Sequence, residues 1–289
     1  MIHPATPTPK PDLEPLRPVA VRDLVRLGRE RDGGYVVSRR AIEATRVLVG
    51  LGVNDEWSFE EAFLARAPRT RLVLVDGTVG RGPYAWRTLE RAIAVPRRLV
   101  RGHVRRARLA WDEARSYAVA WQRLEAFLAP EGRRLVQAMI GPRDDKGTVS
   151  WGTVRRELGS PDPGRALFVK MDVEGAEYDV LPAVLEDGAC IAGFALEFHR
   201  LDRQWGRLLE LRAAWEREFA VVHVHGNNGD TLIPGTTVPK ALEVTLVARD
   251  LLTPEELGQR VAVPLPRPEL DFPNDPDRSE FPLFAPAPV

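Results

Sequence analysis

The central part of the chain alternates between short apolar runs and longer amphipathic segments. Parallel strands buried on both faces are nearly all apolar, so the runs predict strands and the segments after them predict helices. The predicted strands are 46–52, 71–76, 135–140, 166–172 and 190–199, and the predicted helices are 55–67, 175–185 and 202–219. Two more runs, 221–225 and 242–247, have no helix between them and predict an antiparallel hairpin at one edge. We therefore predict an α/β fold with a mostly parallel, seven-stranded sheet and helices on both faces.

Three segments fall outside this alternation. Residues 80–134 hold 13 Arg against 5 Asp or Glu, with apolar residues interleaved, which predicts a basic helical insertion between the second and third strands. A solvated basic face is its simplest interpretation. The alternatives are a lid over the substrate and a surface for anionic glycans or lipid headgroups. Residues 1–29 and 261–289 are rich in proline and predict extended arms on either side of a domain at 30–260.

Composition narrows the class of protein. The 41 basic residues balance 41 acidic ones, so no overall charge attracts nucleic acid, and we expect no nucleic-acid partner. The one cysteine, Cys190, cannot form an intrachain disulfide. We expect a cytoplasmic protein without a transmembrane segment, because no apolar run approaches a membrane span and no leader pattern is present. Peripheral membrane contact through 80–134 is an alternative, and the oligomeric state is open.

The residues at the strand ends carry the candidate chemistry, because open parallel sheets bind ligands beyond the carboxyl ends of their strands. The first strand leads into a glycine-rich loop at 50–55, where a ligand can approach the backbone closely. The second strand ends at Asp76, the expected acceptor for two ribose hydroxyls. Asp55 stands where a dinucleotide motif needs its third glycine, and its charge repels a pyrophosphate. The electrostatics favour S-adenosylmethionine, which carries a sulfonium and an ammonium, over NAD.

A second group of carboxylates follows the fourth strand, in the segment Lys170-Met171-Asp172-Val173-Glu174-Gly175-Ala176-Glu177. An acid in the first turn of a helix, such as Glu177, is favoured by the helix dipole and needs no function. Asp172 is different, because an apolar strand gains nothing from ending in a desolvated acid. We therefore predict that Asp172 is functional.

That segment resembles the hallmark of the FkbM-type S-adenosylmethionine-dependent methyltransferases. Further segments resemble the family in the same order along the chain, namely 32–37, 50–60, 76–79, 197–199 and 225–228. The resemblance covers about 30–250 and leaves out the insertion and both arms. It implies a class I (Rossmann-like) methyltransferase fold and methyl transfer to a hydroxyl of a carbohydrate, glycolipid or natural product.

The resemblance also implies roles for individual residues. The cofactor contacts are Gly50, Gly52, Asn54, Asp55, Asp76, Gly77 and Thr78. The candidates for catalysis are Asp172, Glu174 and His199. The candidates for contact with the substrate are Glu177, Glu197, His225, Asn227 and Asn228. The end of the third strand, at 141–145, is expected to contact the adenine.

A sugar hydroxyl is a poor nucleophile near neutral pH, so transfer needs a general base or a metal ion. His199 has the most suitable intrinsic pKa for a base, and a carboxylate can serve if burial raises its pKa. The alternative is a divalent ion such as magnesium held by Asp172 and Glu197, with His199 or Asn227 as further ligands. Two other functions stay open: a non-catalytic glycan- or partner-binding module on this scaffold, and a NAD-dependent oxidoreductase.

Overall fold

The structure is a computed structural model that describes residues 10–159 and 164–284. Its elements follow the predicted alternation of strands and helices along the chain. They are β1 (Leu24–Leu27), β2 (Tyr35–Ser38), α1 (Arg39–Ala44), β3 (Val47–Leu51), α2 (Ser58–Arg66), β4 (Arg71–Val75), α3 (Arg81–Val100), α4 (Val104–Leu128), β5 (Arg133–Val136), β6 (Met139–Gly141), β7 (Thr148–Ser150), α5 (Trp151–Leu158), β8 (Leu167–Met171), α6 (Glu177–Leu185), β9 (Ile191–Phe198), α7 (Leu201–Trp215), β10 (Phe219–Gly226), β11 (Leu242–Ala248) and α8 (Pro254–Gly258).

Seven strands form the central sheet, in the spatial order β10-β11-β9-β8-β3-β4-β5. Strands β3, β4, β5, β8 and β9 run parallel, while β11 runs antiparallel to β9 and to β10. Counted along the chain, the strands of this sheet lie in the order third, second, first, fourth, fifth, seventh, sixth. This is the class I methyltransferase order, with its switch point between β3 and β8. The predicted fold class and the predicted edge hairpin are confirmed.

Helices cover both faces of the sheet, which is why its strands are so apolar. Every residue of β3, β8 and β9 is buried. On the side of α5, α6 and α7, the core includes Phe198 stacked on Trp215. On the side of α1, α2 and the base of α4, it includes Phe63 packed on Phe168. With both faces filled by apolar side chains, the ends of the strands are the places left for a polar site.

The predicted helical insertion is confirmed as a hairpin of α3 and α4 between β4 and β5. Its base packs on the domain, where Phe127 stacks on Trp57. Within the hairpin, Tyr84 of α3 stacks on Tyr117 of α4. Of the α4 side chains that face the interior, four are alanines at Ala107, Ala110, Ala114 and Ala120. Small residues at these positions let the two helices approach each other closely.

The predicted third strand is wrong in its bounds, because 135–140 is divided between two sheets. β5 belongs to the central sheet, whereas β6 pairs in parallel with β7. The chain turns at Ala138, whose amide donates to the carbonyl of Val136, and this turn brings the Met139 amide to the carbonyl of Gly147. Periodicity did not predict the hairpin of β1 and β2 or the short helices α1, α5 and α8, because an element of four to eight residues is too short to show a clear repeat.

The described parts of the two arms pack against the domain and are mostly extended, with a short 3₁₀ turn at Glu14–Leu16. Leu16 and Leu283 are buried, Val19 pairs with Arg260, and Leu265 pairs with Leu283. Residues 1–9 and 285–289 of the predicted arms lie outside the described residues, and the domain bounds stay a prediction. Within 10–159 and 164–284, no helix combines the length and the apolar character that a bilayer crossing needs.

Candidate functional site

A cleft of about 340 Å³ opens at the carboxyl ends of β3, β4 and β8, beside the switch point of the sheet. Its lining is strongly charged and mostly acidic. Its carboxylates are Asp32, Asp55, Glu56, Glu60, Asp76, Asp172 and Glu174, and its cationic side chains are Arg29, Arg87 and Lys170. Seven acids against three cations make this cleft better suited to a cationic ligand than to a polyanion.

The loop after β3 is pressed against the end of β8. Gly52 has φ of +76°, and a Cβ at this position would lie 1.8 Å from the carbonyl oxygen of Asp172. A main-chain hydrogen bond also joins the ends of β3 and β8, because the Asp172 amide donates to the carbonyl of Leu51 at 2.9 Å. Glycine is therefore required at residue 52, and the glycine-rich loop and Asp172 form one wall of the cleft.

Asp76, at the end of β4, is tied to the glycine-rich loop. Its Oδ2 accepts the amides of Val53 and Asn54, each at 2.8 Å. Its Oδ1 accepts the amide and the hydroxyl of Thr78, each at 2.6 Å. Burial alone would raise the pKa of Asp76, but these hydrogen bonds outweigh it and lower the pKa. Asp76 is thus a stable anion that fixes the loop.

Lys170 and Glu60 lie at the floor of the cleft and line it. The Lys170 ammonium donates to the carbonyl of Gly52 at 2.6 Å and lies 3.4 Å from Asp172 Oδ2. Burial alone would lower the pKa of Lys170, but the neighbouring carboxylates, Asp172 first, raise it. Glu60 is 1% exposed, and its Oε1 has no hydrogen-bond partner within the described ranges. Burial raises the pKa of Glu60 to about 7 in spite of the attraction of Lys170.

Tyr35, from β2, lies between two carboxylates of the sheet. Its hydroxyl is 3.2 Å from Asp172 Oδ2 and 3.3 Å from Glu197 Oε2. A hydroxyl has one proton, so it donates to one of the two at a time. Burial, with the charges of Asp172 and Glu197, raises the pKa of Tyr35 well above its usual value, which keeps it a donor. The Asp172 side chain is 26% exposed and therefore still open to a ligand.

His199, just after β9, is oriented by Glu177. Its Nδ1 lies 2.8 Å from Glu177 Oε1, which also accepts the amides of Val173 and Gly175. Because the partner is a carboxylate, Nδ1 carries a proton and Nε2 points to the opening. Glu177 has no exposed surface, so its role in the structure is to hold this ring and the turn after β8.

The Nε2 atom of His199 faces three carboxylates at distances beyond a hydrogen bond. These are Glu174 Oε2 at 3.7 Å, Glu197 Oε1 at 3.7 Å and Asp172 Oδ1 at 3.8 Å. Burial would lower the pKa of His199, but the hydrogen bond to Glu177 and the nearby carboxylates raise it to about 9. In this arrangement the ring keeps both protons at neutral pH, which leaves it a donor.

Asp172, Glu174 and His199 also satisfy the geometry of a metal cluster. One ligand atom from each lies within 4.8 Å of the others. A histidine whose second nitrogen donates to a carboxylate, as His199 does to Glu177, is the usual arrangement behind a metal ligand. These three side chains can hold a divalent ion once the proton on His199 Nε2 is displaced. The ligand pair predicted from the sequence, Asp172 and Glu197, overlaps this cluster in Asp172.

A second depression, of about 450 Å³, lies next to the cleft. Asp32, Asp172 and Glu174 line both, so the two spaces meet at these residues. The rest of its lining is almost entirely polar and comprises Glu197, His199, Asn227, Gly229, Asp230, Ala241, Asn274 and Asp275. Such a surface offers many hydrogen bonds and little apolar contact, which suits a polyhydroxylated ligand.

Most of the residues predicted from the sequence meet at these two spaces. Five predicted cofactor residues line the cleft, namely Gly52, Asn54, Asp55, Asp76 and Thr78. Gly50 and Gly77 do not line it. A Cβ on Gly50 would lie 2.8 Å from Glu60 Oε1, and a Cβ on Gly77 would lie 2.7 Å from the Met139 amide. These two glycines allow close packing behind the cleft wall.

Three residues predicted to contact the substrate, Glu177, His225 and Asn228, do not line the depression. His225 is 2% exposed and lies between Glu243 and Glu280, at 3.3 and 3.1 Å. Asn228 has no exposed surface, and its amide donates to the carbonyls of Asp275 and Arg278 in the C-terminal segment. His225 and Asn228 therefore connect β10 to neighbouring segments of the chain.

Sequence reasoning missed several residues that line the two spaces. Arg29 and Asp32 line the cleft, and Tyr35 lies behind it within hydrogen-bond distance of Asp172. All three come from the segment before and within β2, where the resemblance at 32–37 was a signal but assigned no role. Met139 and Ile140 line the cleft just before the segment expected to contact the adenine. Asn274 reaches the depression from the C-terminal tail, and nothing in the sequence indicated it.

Comparison with known proteins adds little to this description. No protein-family model matches the chain, and no curated protein matches it. Similar solved structures include Sp1610 of Streptococcus pneumoniae, with 13% identity over 71% of this chain and 64% of that one and a TM-score of 0.35. They also include precorrin-6y C5,15-methyltransferase of Geobacter metallireducens, with 14% identity, coverages of 72% and 84% and a TM-score of 0.33. A third is an O-methyltransferase of Bacillus cereus in complex with SAH, with 11% identity, coverages of 72% and 76% and a TM-score of 0.31. At these scores, none of the three assigns an activity to this chain.

Proposed function

We propose that this protein is an S-adenosylmethionine-dependent O-methyltransferase of the FkbM type. Its acceptor in this proposal is a hydroxyl of a carbohydrate, glycolipid or natural product. The observation that carries the proposal is the acidic cleft at the switch point of the sheet, with seven carboxylates and three cationic side chains. S-adenosylmethionine has a sulfonium, an ammonium and no phosphate, so its charge complements this lining.

The same lining argues against the oxidoreductase alternative. A dinucleotide settles its pyrophosphate on the amides of a helix N-terminus that is free of negative charge. Here α2 begins with Glu60 and Glu61 in its first turn, and Asp55 and Glu56 precede it. Four acids within this short segment repel a pyrophosphate.

Glu60 supports a cationic ligand independently of the overall charge. A buried carboxylate without a hydrogen-bond partner is costly, and a cation that reaches it removes part of that cost. Glu60 lines the cleft and has such an oxygen. We infer that the ammonium end of the donor lies toward Glu60, while the adenosine end lies toward Asp76 and Thr78.

The acceptor in this proposal occupies the polar depression. Sugar hydroxyls need donors and acceptors around them, and Asn227, Asp230 and Asn274 offer both. Three carboxylates line both spaces, and of these Asp172 lies directly against the glycine-rich loop. We therefore assign to Asp172 the contact with an acceptor hydroxyl next to the donor's methyl group. The His199 ring, held by Glu177, can donate a hydrogen bond to a second oxygen of the acceptor.

When bound, the donor supplies an electrophilic methyl group on a sulfonium sulfur, and its transfer to oxygen is an in-line displacement. The chain contributes alignment, because the depression holds the acceptor hydroxyl against the end of the cleft. Asp172 Oδ1 or Oδ2 accepts the hydroxyl proton as the oxygen–carbon bond forms and the carbon–sulfur bond breaks, which leaves S-adenosylhomocysteine as the product in the cleft. In the metal-assisted alternative, Asp172, Glu174 and His199 hold a divalent ion instead, and a chelator then abolishes the transfer.

Calorimetric titration tests the cofactor assignment. We expect heat on titration with S-adenosylhomocysteine and none with NAD, because the acidic cleft excludes a pyrophosphate. Binding of NAD without binding of S-adenosylhomocysteine would overturn the proposal. Incubation with methyl-labelled S-adenosylmethionine and a panel of glycans and glycolipids then tests the transfer. If the donor binds but no member of a broad panel gains label, the non-catalytic binding module replaces the enzyme.

A further inference from the structure

The hairpin of α3 and α4, residues 81–128, exposes an unusual amount of apolar surface. We call this hairpin the arm, in contrast to the two terminal arms described above. Twelve large hydrophobic side chains are exposed in the described part of the chain, and nine of them lie in the arm. They are Trp86, Leu89, Ile93, Leu99, Val100, Val104, Leu109, Trp111 and Val119. Exposed apolar side chains concentrated in one part of a protein indicate a surface that binds a membrane or another molecule.

These side chains follow the helical repeat. In α3, Trp86, Leu89, Ile93 and Val100 are spaced by three, four and seven residues, so they lie on one face of the helix. In α4, Val104, Trp111 and Val119 are likewise on one face, and Arg108 and Arg115 lie between them on that face. Each helix therefore has an exposed stripe that is mostly apolar and is interrupted by arginine, at Arg97 in α3 and at Arg108 and Arg115 in α4.

The arm is also strongly basic. It contains 11 arginines and four acidic residues. At its far end, a shallow cavity of about 640 Å³ is lined by four guanidinium groups and one imidazole, together with Glu90 and Ala94. The basic groups are Arg97, Arg98, Arg101, His103 and Arg106. Each guanidinium group in such a cluster can donate two parallel hydrogen bonds to the oxygens of one phosphate. Leu99, Val100 and Val104 are exposed within the same turn of chain.

One kind of partner satisfies both features. Nucleic acid would engage the arginines and could stack bases on the tryptophans, but it would leave the seven exposed aliphatic side chains of the arm in water. A two-fold dimer through the arm would bury the tryptophans but bring the same arginines of two copies against each other. The surface of an anionic bilayer accepts tryptophan and aliphatic side chains between its headgroups and pairs its phosphates with arginine.

We propose that the arm docks on the surface of an anionic lipid bilayer. The arginines at its far end bind lipid phosphates, and the exposed stripes of α3 and α4 enter the headgroup region. The arm is joined to the cleft at its base, where Tyr84 and Arg87 donate hydrogen bonds to Asn54. Docking therefore brings the cleft close to the bilayer, although the docking itself does not depend on the proposed methyltransferase activity.

Co-sedimentation with lipid vesicles tests this proposal on the full chain. We expect binding to vesicles that contain phosphatidylglycerol, weaker by at least about tenfold on pure phosphatidylcholine, and a further loss in high salt. The combined substitution Trp86→Ser and Trp111→Ser removes the apolar contribution. The combined substitution Arg97→Gln, Arg101→Gln and Arg106→Gln removes the charge. Each should reduce vesicle binding at least about tenfold.

The matched control replaces three exposed arginines outside the arm, Arg66→Gln, Arg69→Gln and Arg203→Gln. It has the same loss of charge and should bind vesicles like the unsubstituted chain. All substituted positions are exposed, so circular dichroism and S-adenosylhomocysteine binding should be unchanged in each variant. Equal losses in the control, or no preference for anionic vesicles, would overturn the proposal. Binding of RNA in place of vesicles, or a concentration-dependent dimer lost on tryptophan substitution, would assign the arm to those partners instead.

Discussion

The carboxylates at the ends of β4 and β8 line the same cleft but are held in different ways. Asp76 accepts four hydrogen bonds of 2.6 to 2.8 Å from three residues of its own chain. Asp172 has longer contacts, at 3.2 Å to the Tyr35 hydroxyl and 3.4 Å to the Lys170 ammonium. The pKa of Asp76 is lowered by its donors, whereas a quarter of the Asp172 side chain is open to a ligand.

The difference separates an acid that builds the site from an acid that is free to act in it. A carboxylate that accepts four short hydrogen bonds has little remaining capacity for a proton or a new partner. A carboxylate with long contacts can change its partners during a reaction at small cost. Glu60 is intermediate, since it is more buried than either but has an oxygen without a partner. Substitutions at these three residues test whether the difference in hydrogen bonding sets their roles.

The largest effect is expected at Asp172. In our proposal Asp172→Asn removes the proton acceptor, and general-base catalysis contributes about 10²- to 10⁴-fold to a rate. We expect methyl transfer to fall by about 10³-fold, with S-adenosylhomocysteine affinity unchanged within several-fold by calorimetry. Full activity in this variant would exclude Asp172 as the base. Glu210→Gln, an exposed acid on α7, is the control and should retain the rate.

The next effect is expected at Asp76. Asp76→Ala leaves the amides of Val53, Asn54 and Thr78 without their acceptor and frees the loop that forms the cleft wall. Hydrogen bonds to a charged group are worth about 1.5 to 3 kcal/mol each, so we expect cofactor affinity to fall by about a hundredfold. Unchanged affinity would remove Asp76 from the site. Thr78→Val, which deletes one of the four donors, should show a smaller loss.

The smallest effect is expected at Glu60 and depends on pH. Its pKa of about 7 in the empty protein means that it gains a proton as the pH falls below 7 and then no longer attracts a cation. S-adenosylhomocysteine affinity should therefore increase by about fivefold from below pH 7 to above it. Glu60→Gln is neutral throughout and should bind with the weaker affinity at every pH. An identical pH profile in the variant would contradict a cation near Glu60.

The sequence was sufficient for the parts of the site that are local in the chain. The glycine-rich loop, Asp76 and Asp172 follow apolar strands directly, so the predicted parallel sheet already brought them to one edge. It was insufficient for Tyr35, which is 162 residues from its partner Glu197, and for Asn274, which comes from the tail. The sequence also led us to assign His225 to the substrate. In the structure, both nitrogens of its imidazole already contact carboxylates, Glu243 on the paired strand β11 and Glu280.

Hydrophobic periodicity and strand-end residues were enough to predict the α/β architecture, the alternation of strands and helices along the chain and the acidic character of the cleft. These properties depend on neighbours in sequence, which a single chain displays. The tertiary structure decided which acid is saturated with donors, which way the His199 ring points and where the polar depression joins the cleft. Those properties depend on differences of less than 1 Å between groups that only folding brings together, because hydrogen bonds and charge interactions weaken over that distance.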